Sequence, residues 1–214
     1  REERIFKGAE EILYDTTSIP ETLAIIDQDN YQDSSKGKII EIFTNLDANS
    51  PLNGKNNLVI LDQSVFYPTQ GGQECDHRLL ILDGKEYKVI DCIKVGKCAV
   101  HVLDQELPGD KKDYIGKEVT CIIDIERRRQ LMTHHTATHI VCAACKRVLG
   151  PHVWQNGAKK TEEMAHLDIT HYKSLTYEEE RDIQNMANKI VLEAHNITKS
   201  WINKAEAEKK YGFT

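Results

Sequence analysis

The chain has 214 residues, of which 40% are hydrophobic and 29% charged, with a formal net charge of −6, enough apolar material for one large domain or two small ones. That net negative charge excludes an indiscriminate polyanion binder, so any nucleic-acid contact has to come from a local basic patch. No apolar run approaches the roughly 20 residues needed to cross a bilayer, and the start REERIFKGAEE lacks the build of a secretory signal.

In chain order, the residues up to about Leu23 read as helical, with a turn at Ser18-Ile19-Pro20, and the polar run IDQDNYQDSSKGK reads as a linker. From Ile39 the period changes. KIIEIF, NLVILD, RLLILD, KEYKVID, CAVHVLD and EVTCIIDI are short β-branched runs separated by turn chemistry. Asp83-Gly84 is a strong two-residue hairpin signal, Gly96-Lys97 a second, and Pro108-Gly109-Asp110 a looser turn. Six short strands so closely spaced predict a small antiparallel β-barrel.

After Asp124 the pattern becomes helical. ERRRQLMTHHTATHIVCAACKRVLG runs to a stop at Gly150-Pro151. Residues 164–172, MAHLDITHY, alternate like a strand, and Thr176 with Glu179 forms a capping box. The helix behind it carries Ile183, Met186, Ala187, Ile190, Val191 and Ala194 on one stripe, the pattern of a core-facing face. The predicted class is α+β: a small antiparallel barrel followed by an α+β core with a histidine-bearing helix. The six cysteines (Cys75, Cys92, Cys98, Cys121, Cys142 and Cys145) show no disulfide-scaffold spacing and read as reduced thiols of a cytoplasmic protein.

The stretch HHTATHIVCAAC, residues 134–145, poses the chemical question. On a helix His135 and His139 lie one turn apart on one face, so both imidazoles can reach a single ion. Spacing alone leaves two readings open, a metal pair or two partly buried polar side chains. His134 points to another face. Zinc takes at least three protein ligands. Cys142 shares the face, but it lies seven positions from His135, about 10.5 Å along the axis. A short thiolate side chain would complete the site only under strain, so Cys142 and Cys145 read as small buried hydrophobes and the missing ligands should come from elsewhere. The run Arg127-Arg128-Arg129 reads either as a solvated helix face or as a contact to a nucleic-acid backbone.

Two stretches decide between these readings: SVFYPTQGGQECD, residues 64–76, and HTATHIVCAACKRVLGPHVWQNGAKKTEEMAHLDITHY, residues 135–172. An F-Y-P-x-x-G-G-Q turn, then H-T-A-T-H, then V-L-G-x-H-V-x-Q-x-G and H-L-D-I-T-H-Y, resembles the editing domain of alanyl-tRNA synthetase. The same core occurs in the free-standing alanyl-tRNA deacylases and, more distantly, in threonyl-tRNA synthetase. The wording HVWQNGA and AHLDITHY looks most like the archaeal type. ILYDTTSIPETL, residues 12–23, is similar to the segment ending that enzyme's aminoacylation and tRNA-recognition region, and KAEAEKKYGFT, residues 204–214, to the segment after the editing helices.

The resemblance implies three parts: residues 1–30 as the end of the tRNA-recognition region, 31–126 as the barrel, and 127–214 as an editing core incomplete at its C-terminal end. It implies zinc on His135 and His139, completed in the family by a downstream Cys-x3-His pair that this chain does not contain. The chain is therefore expected to be a shortened piece, or half of a split protein whose partner chain brings the remaining segment. The implied reaction is hydrolysis of the ester joining serine or glycine to tRNA(Ala), with the tRNA acceptor end as partner. ATP and alanine sites would then precede Arg1, and no membrane is involved. Gln155 matches the family glutamine and is expected to position water or substrate. Thr69 is expected to hydrogen-bond the serine hydroxyl. Gly71, Gly72, Gln73 and Arg128 are expected at the substrate. The rival expectation is a binding module, a catalytically incomplete half that holds or docks tRNA without chemistry; a third is a complete but rewired metal site using Cys142.

Overall fold

The computed structural model describes residues 14–25, 32–196, 200 and 202–211. They form two compact units, 1–139 with 155–170 and 140–154 with 171–214. The class is α+β. The first 13 residues of the expected N-terminal helix lie outside the described residues, and from Tyr14 the chain is not helical. Asp15 accepts hydrogen bonds from both the N–H and the hydroxyl of Thr17, a local turn that competes with helix. The segment ends in a two-residue strand, β1 (Leu23–Ala24), parallel to β4 (Gln63–Ser64).

All six apolar runs become strands. β2 (Ser34–Thr44), β3 (Asn56–Leu61), β7 (Cys98–Leu103), β6 (Lys85–Val95), β5 (Arg78–Leu82) and β8 (Glu118–Ile123) close in that order into an antiparallel barrel. Asp83 (φ 50°) and Gly84 (φ 76°) turn between β5 and β6, both left-handed as a type I′ hairpin demands. Ile39, Ile42, Val59, Leu61, Leu80, Leu103, Val119 and Ile123 fill the interior. Leu58, Ile60, Cys98 and Val100 point the other way yet are buried too, because Tyr14 and Ile19 pack over them. This cover explains why β3 reads as a continuous apolar run rather than an alternating one.

The latter part of the expected linker, from Ser34 to Lys38, is strand instead, pairing with β8 from Ser34↔Ile122 to Lys38↔Glu118. A Cβ on Gly37 would lie 2.4 Å from the Gln63 carbonyl oxygen, so its glycine is what lets this polar stretch approach. Residues 26–31 of that linker lie outside the described residues.

A fully buried histidine crosses the barrel wall. His101 Nδ1 donates to the Val59 carbonyl at 3.0 Å, and Nε2 accepts from the Ser64 hydroxyl at 2.8 Å. Burial pushes its pKa down to about 4. The unfolded chain takes up this proton near the ordinary value of about 6.5, whereas the folded chain refuses it until about 4. Stability is therefore complete above pH 6.5 and falls as the pH drops through that window, by about 3 kcal/mol in all. Urea unfolding at pH 7 and pH 4.5 checks this: the loss is expected in the wild type and smaller in His101→Asn.

α1 (Ile125–Leu149) follows β8 and stops at Gly150, whose φ is 118°. β9 (Gln155–Lys160) and β10 (Ala165–Ile169) form an antiparallel hairpin. α2 (Tyr177–Leu192) carries the predicted capping box at Thr176 and Glu179. Of its apolar stripe only Ile183 is buried, while Val191 and Ala194 are exposed. Periodicity tells which side is apolar, not how much of it a partner covers. α3 (Lys204–Tyr211) is short and polar.

Candidate functional site

His135 and His139 lie on one face of α1, as their spacing demands, and their rings stack with centroids 5.3 Å apart and planes 22° from parallel. His135 Nδ1 is 2.8 Å from Gln73 Oε1. A carbonyl oxygen only accepts, so Nδ1 carries the proton and the Nε2 lone pair is left for a ligand. Burial, then the charge of Lys160, then His139, push the His135 pKa below its ordinary value, which favours the neutral, coordinating form. This is the arrangement in which outer-shell partners orient a metal-binding histidine. Among the described residues no group of three or more His, Cys, Asp or Glu side chains could hold an ion, so the pair fits a metal as two donors that need others. Cys142 is half-buried and Cys145 buried.

The Gly71–Gly72 turn lies beside His135. Both glycines have positive φ, 59° and 75°. A Cβ on Gly71 would sit 3.8 Å from His135 Cε1, and one on Gly72 only 2.1 Å from the Ala158 carbonyl oxygen. Any side chain at 72 would drive the turn off β9. Lys160 at the end of β9 holds the turn from behind: its N–H donates to the Gly72 carbonyl at 2.7 Å, its carbonyl accepts from Glu74 N–H at 3.0 Å, and its Nζ donates to the Gly71 carbonyl at 2.9 Å.

Further ties fix α1 to the same parts. Arg127 Nε donates to the Cys75 carbonyl, and its two terminal nitrogens pair with Glu74 at 3.1 Å and Glu162 at 2.8 Å. His134 Nδ1 donates to the Thr161 carbonyl at 2.8 Å. Arg128, expected at the substrate, points inward. Its Nε lies 3.0 Å from both carboxylate oxygens of the fully buried Asp76, and it also donates to the Val65 carbonyl at 2.6 Å. Arg129 is half-exposed beside Glu126.

The other expected residues are less tightly assembled. Gln73 is 3% exposed and spends its oxygen on His135. Thr69 is exposed; its hydroxyl oxygen accepts from Cys75 N–H at 3.2 Å, leaving the hydroxyl proton to donate outward. Gln155 is exposed at the start of β9, roughly 10 Å along the strand from Ala158, which backs the turn. Sequence reasoning missed Lys160, Asp76 and the bridging role of Arg127. Each is a polar residue with at least one partner 52 or more positions away, and no local spacing encodes such a contact.

The profile of the tRNA synthetases class II (A) matches residues 3–127, more than half the chain, ending where α1 begins. The chain belongs to this family. This class II synthetase chain is 42% identical over 202 residues to the alanine–tRNA ligase of Metallosphaera sedula, a match spanning 94% of the chain and 21% of that ligase. It is 38% identical over 194 residues to the alanine–tRNA ligase of Aeropyrum pernix (91% of the chain, 20% of the ligase) and 40% over 195 residues to that of Pyrococcus abyssi (91% and 20%). The chain thus spans about a fifth of the length of these curated relatives. Matches this wide take in the histidine-bearing helix as well as the barrel. No helix among the described residues of the synthetase chain is long and apolar enough to cross a membrane.

Proposed function

We propose that this region is the editing part of an alanine–tRNA ligase, hydrolysing the ester of mischarged Ser- and Gly-tRNA(Ala). The observation that carries the reading is the stacked His135–His139 pair, its Nε2 freed by the Gln73 bond, beside the glycine turn. A pocket shaped for alanine excludes smaller glycine poorly and rejects serine weakly by size, so a second, hydrolytic site is physically reasonable.

His135 and His139 would hold zinc, with further donors from the Cys-x3-His pair that the family resemblance implies. When bound, the ion supplies Lewis-acid chemistry to the ester or lowers the pKa of a water. The chain's own residues do the rest. Gln73 keeps the His135 proton on Nδ1. Thr69 offers its hydroxyl to the serine side chain, a polar readout that discriminates far more than size. Gln155 orients water or substrate from the edge of the hairpin. Arg128 serves by holding α1 to the segment ahead of the turn, and the tRNA acceptor end is the partner.

The test is deacylation of Ser-tRNA(Ala) by the full-length protein before and after chelation. Loss on metal removal and recovery with zinc are expected, whereas full activity without metal overturns the reading. A second outcome concerns Gln73. With Gln73→Leu the imidazole loses its orienting partner, and zinc affinity is expected to fall 10- to 100-fold. Competition against a chromogenic chelator measures this.

A further inference from the structure

Lys160 is 1% exposed, and among the described residues no carboxylate pairs with it. Buried lysines almost always have an anionic partner. Here the Nζ donates to a neutral acceptor, the Gly71 carbonyl, at 2.9 Å. Anchoring the turn to β9 does not account for this bond, because the main chain of Lys160 already binds Gly72 and Glu74 on either side. The ammonium instead addresses one particular peptide group. The Gly71 carbonyl and the Gly72 N–H belong to the same amide. Its oxygen is taken by Lys160, while its N–H has no intramolecular partner among the described residues and sits on an exposed turn. That turn lies next to the His135 ring, which a Cβ on Gly71 would approach to 3.8 Å.

A cation on the oxygen of an amide withdraws electron density from its nitrogen, so the N–H becomes a stronger donor, the more so away from bulk water. We infer that Lys160 is a positioning residue that fixes and polarises the Gly71–Gly72 peptide so that the Gly72 N–H stabilises the oxyanion of the aminoacyl ester during hydrolysis. The inference rests on the proposed ester hydrolysis. In that step the water oxygen bonds to the ester carbonyl carbon and the π pair moves onto the carbonyl oxygen, where the Gly72 N–H meets it. The pair then returns, the carbon–oxygen bond to the ribose breaks, and the ribose oxygen takes the proton that the water lost. Lys160 itself touches no substrate. The glycine at 72 is doubly required, since a Cβ there would meet both the Ala158 carbonyl and, at 3.4 Å, the Lys160 Nζ.

The experiment compares wild-type full-length protein with Lys160→Met and Lys160→Gln in steady-state hydrolysis of Ser-tRNA(Ala), with zinc content and melting temperature measured alongside. Removing an oxyanion donor outright costs roughly 100- to 1,000-fold in kcat, so weakening one is expected to lower kcat of Lys160→Met about 10- to 100-fold, with KM within twofold and zinc retained. Lys160→Gln keeps a donor but no charge and is expected to fall between. A kcat of Lys160→Met within twofold of wild type overturns the inference and leaves the hydrolytic reading standing. Equal losses in kcat/KM, zinc and melting temperature in both variants also overturn it, by showing a purely architectural lysine. Should Lys160→Met fail to fold, Lys160→Gln decides alone: wild-type kcat overturns the role of the charge, and reduced kcat with unchanged KM supports it. A wild-type protein that leaves Ser-tRNA(Ala) intact overturns the hydrolytic reading, and the inference with it.

Discussion

His139→Ala in the full-length protein is expected to lose bound zinc and to hydrolyse Ser-tRNA(Ala) at least about 100-fold more slowly, with almost no change in stability. Three observations combine in this expectation. His139 is exposed, so truncation removes little packing, and surface changes of this kind usually stay within about 0.5 kcal/mol. Its ring faces that of His135 at 5.3 Å, so the pair has no equivalent donor to substitute for it among the described residues. Outer-shell partners of a metal-bound histidine are worth 10- to 100-fold, and loss of the ligand itself exceeds that. Metal content by mass spectrometry, melting temperature and deacylation rate together check it. A variant with full zinc and unchanged hydrolysis would remove His139 from the site, whereas a protein that simply melts would mark the ring as structural.

Arg128→Met carries the largest stability effect. Asp76 is fully buried, and its carboxylate is held by Arg128 and by the Tyr67 N–H at 2.7 Å. Methionine fills much of the volume but leaves that charge without its counter-ion, a loss of about 3–5 kcal/mol. For a domain of this size each kcal/mol moves the melting temperature about 2–4 °C. Differential scanning calorimetry should therefore show a drop of at least roughly 6 °C. The functional consequence is indirect. Arg128 lies two turns ahead of His135 and ties α1 to Val65 and Asp76, the segment leading into and out of the glycine turn. Arg129→Ala, at a half-exposed position, is the control expected to leave stability unchanged. If Arg128 instead served as an RNA contact, its substitution would weaken tRNA binding and leave the melting temperature alone.

The two arginines illustrate where a sequence stops being informative. Arg127-Arg128-Arg129 reads as one basic run, but helical rotation sends its members to different surroundings, two inward to carboxylates and one outward. Gln73 is a comparable case. As the last letter of a turn it reads as a substrate contact, yet folding brings α1 across it and turns its oxygen toward His135.

By itself the sequence determined the features that short-range rules govern. The six barrel strands, the Asp83-Gly84 hairpin, the reach and stop of α1, the capping box and the shared face of His135 and His139 all depend on periods of two or 3.6 and on local turn chemistry. Order along the chain, with its long motifs, also determined the synthetase family. Only the tertiary structure decided that Ser34–Lys38 joins the barrel, that α2 keeps much of its stripe uncovered, and that Lys160, Asp76 and Arg127 tie together the parts around the candidate site. Those outcomes depend on which surfaces meet across 50 or more positions of chain. There a buried polar group finds its partner through the packing of whole elements, and nothing in its neighbours records the choice.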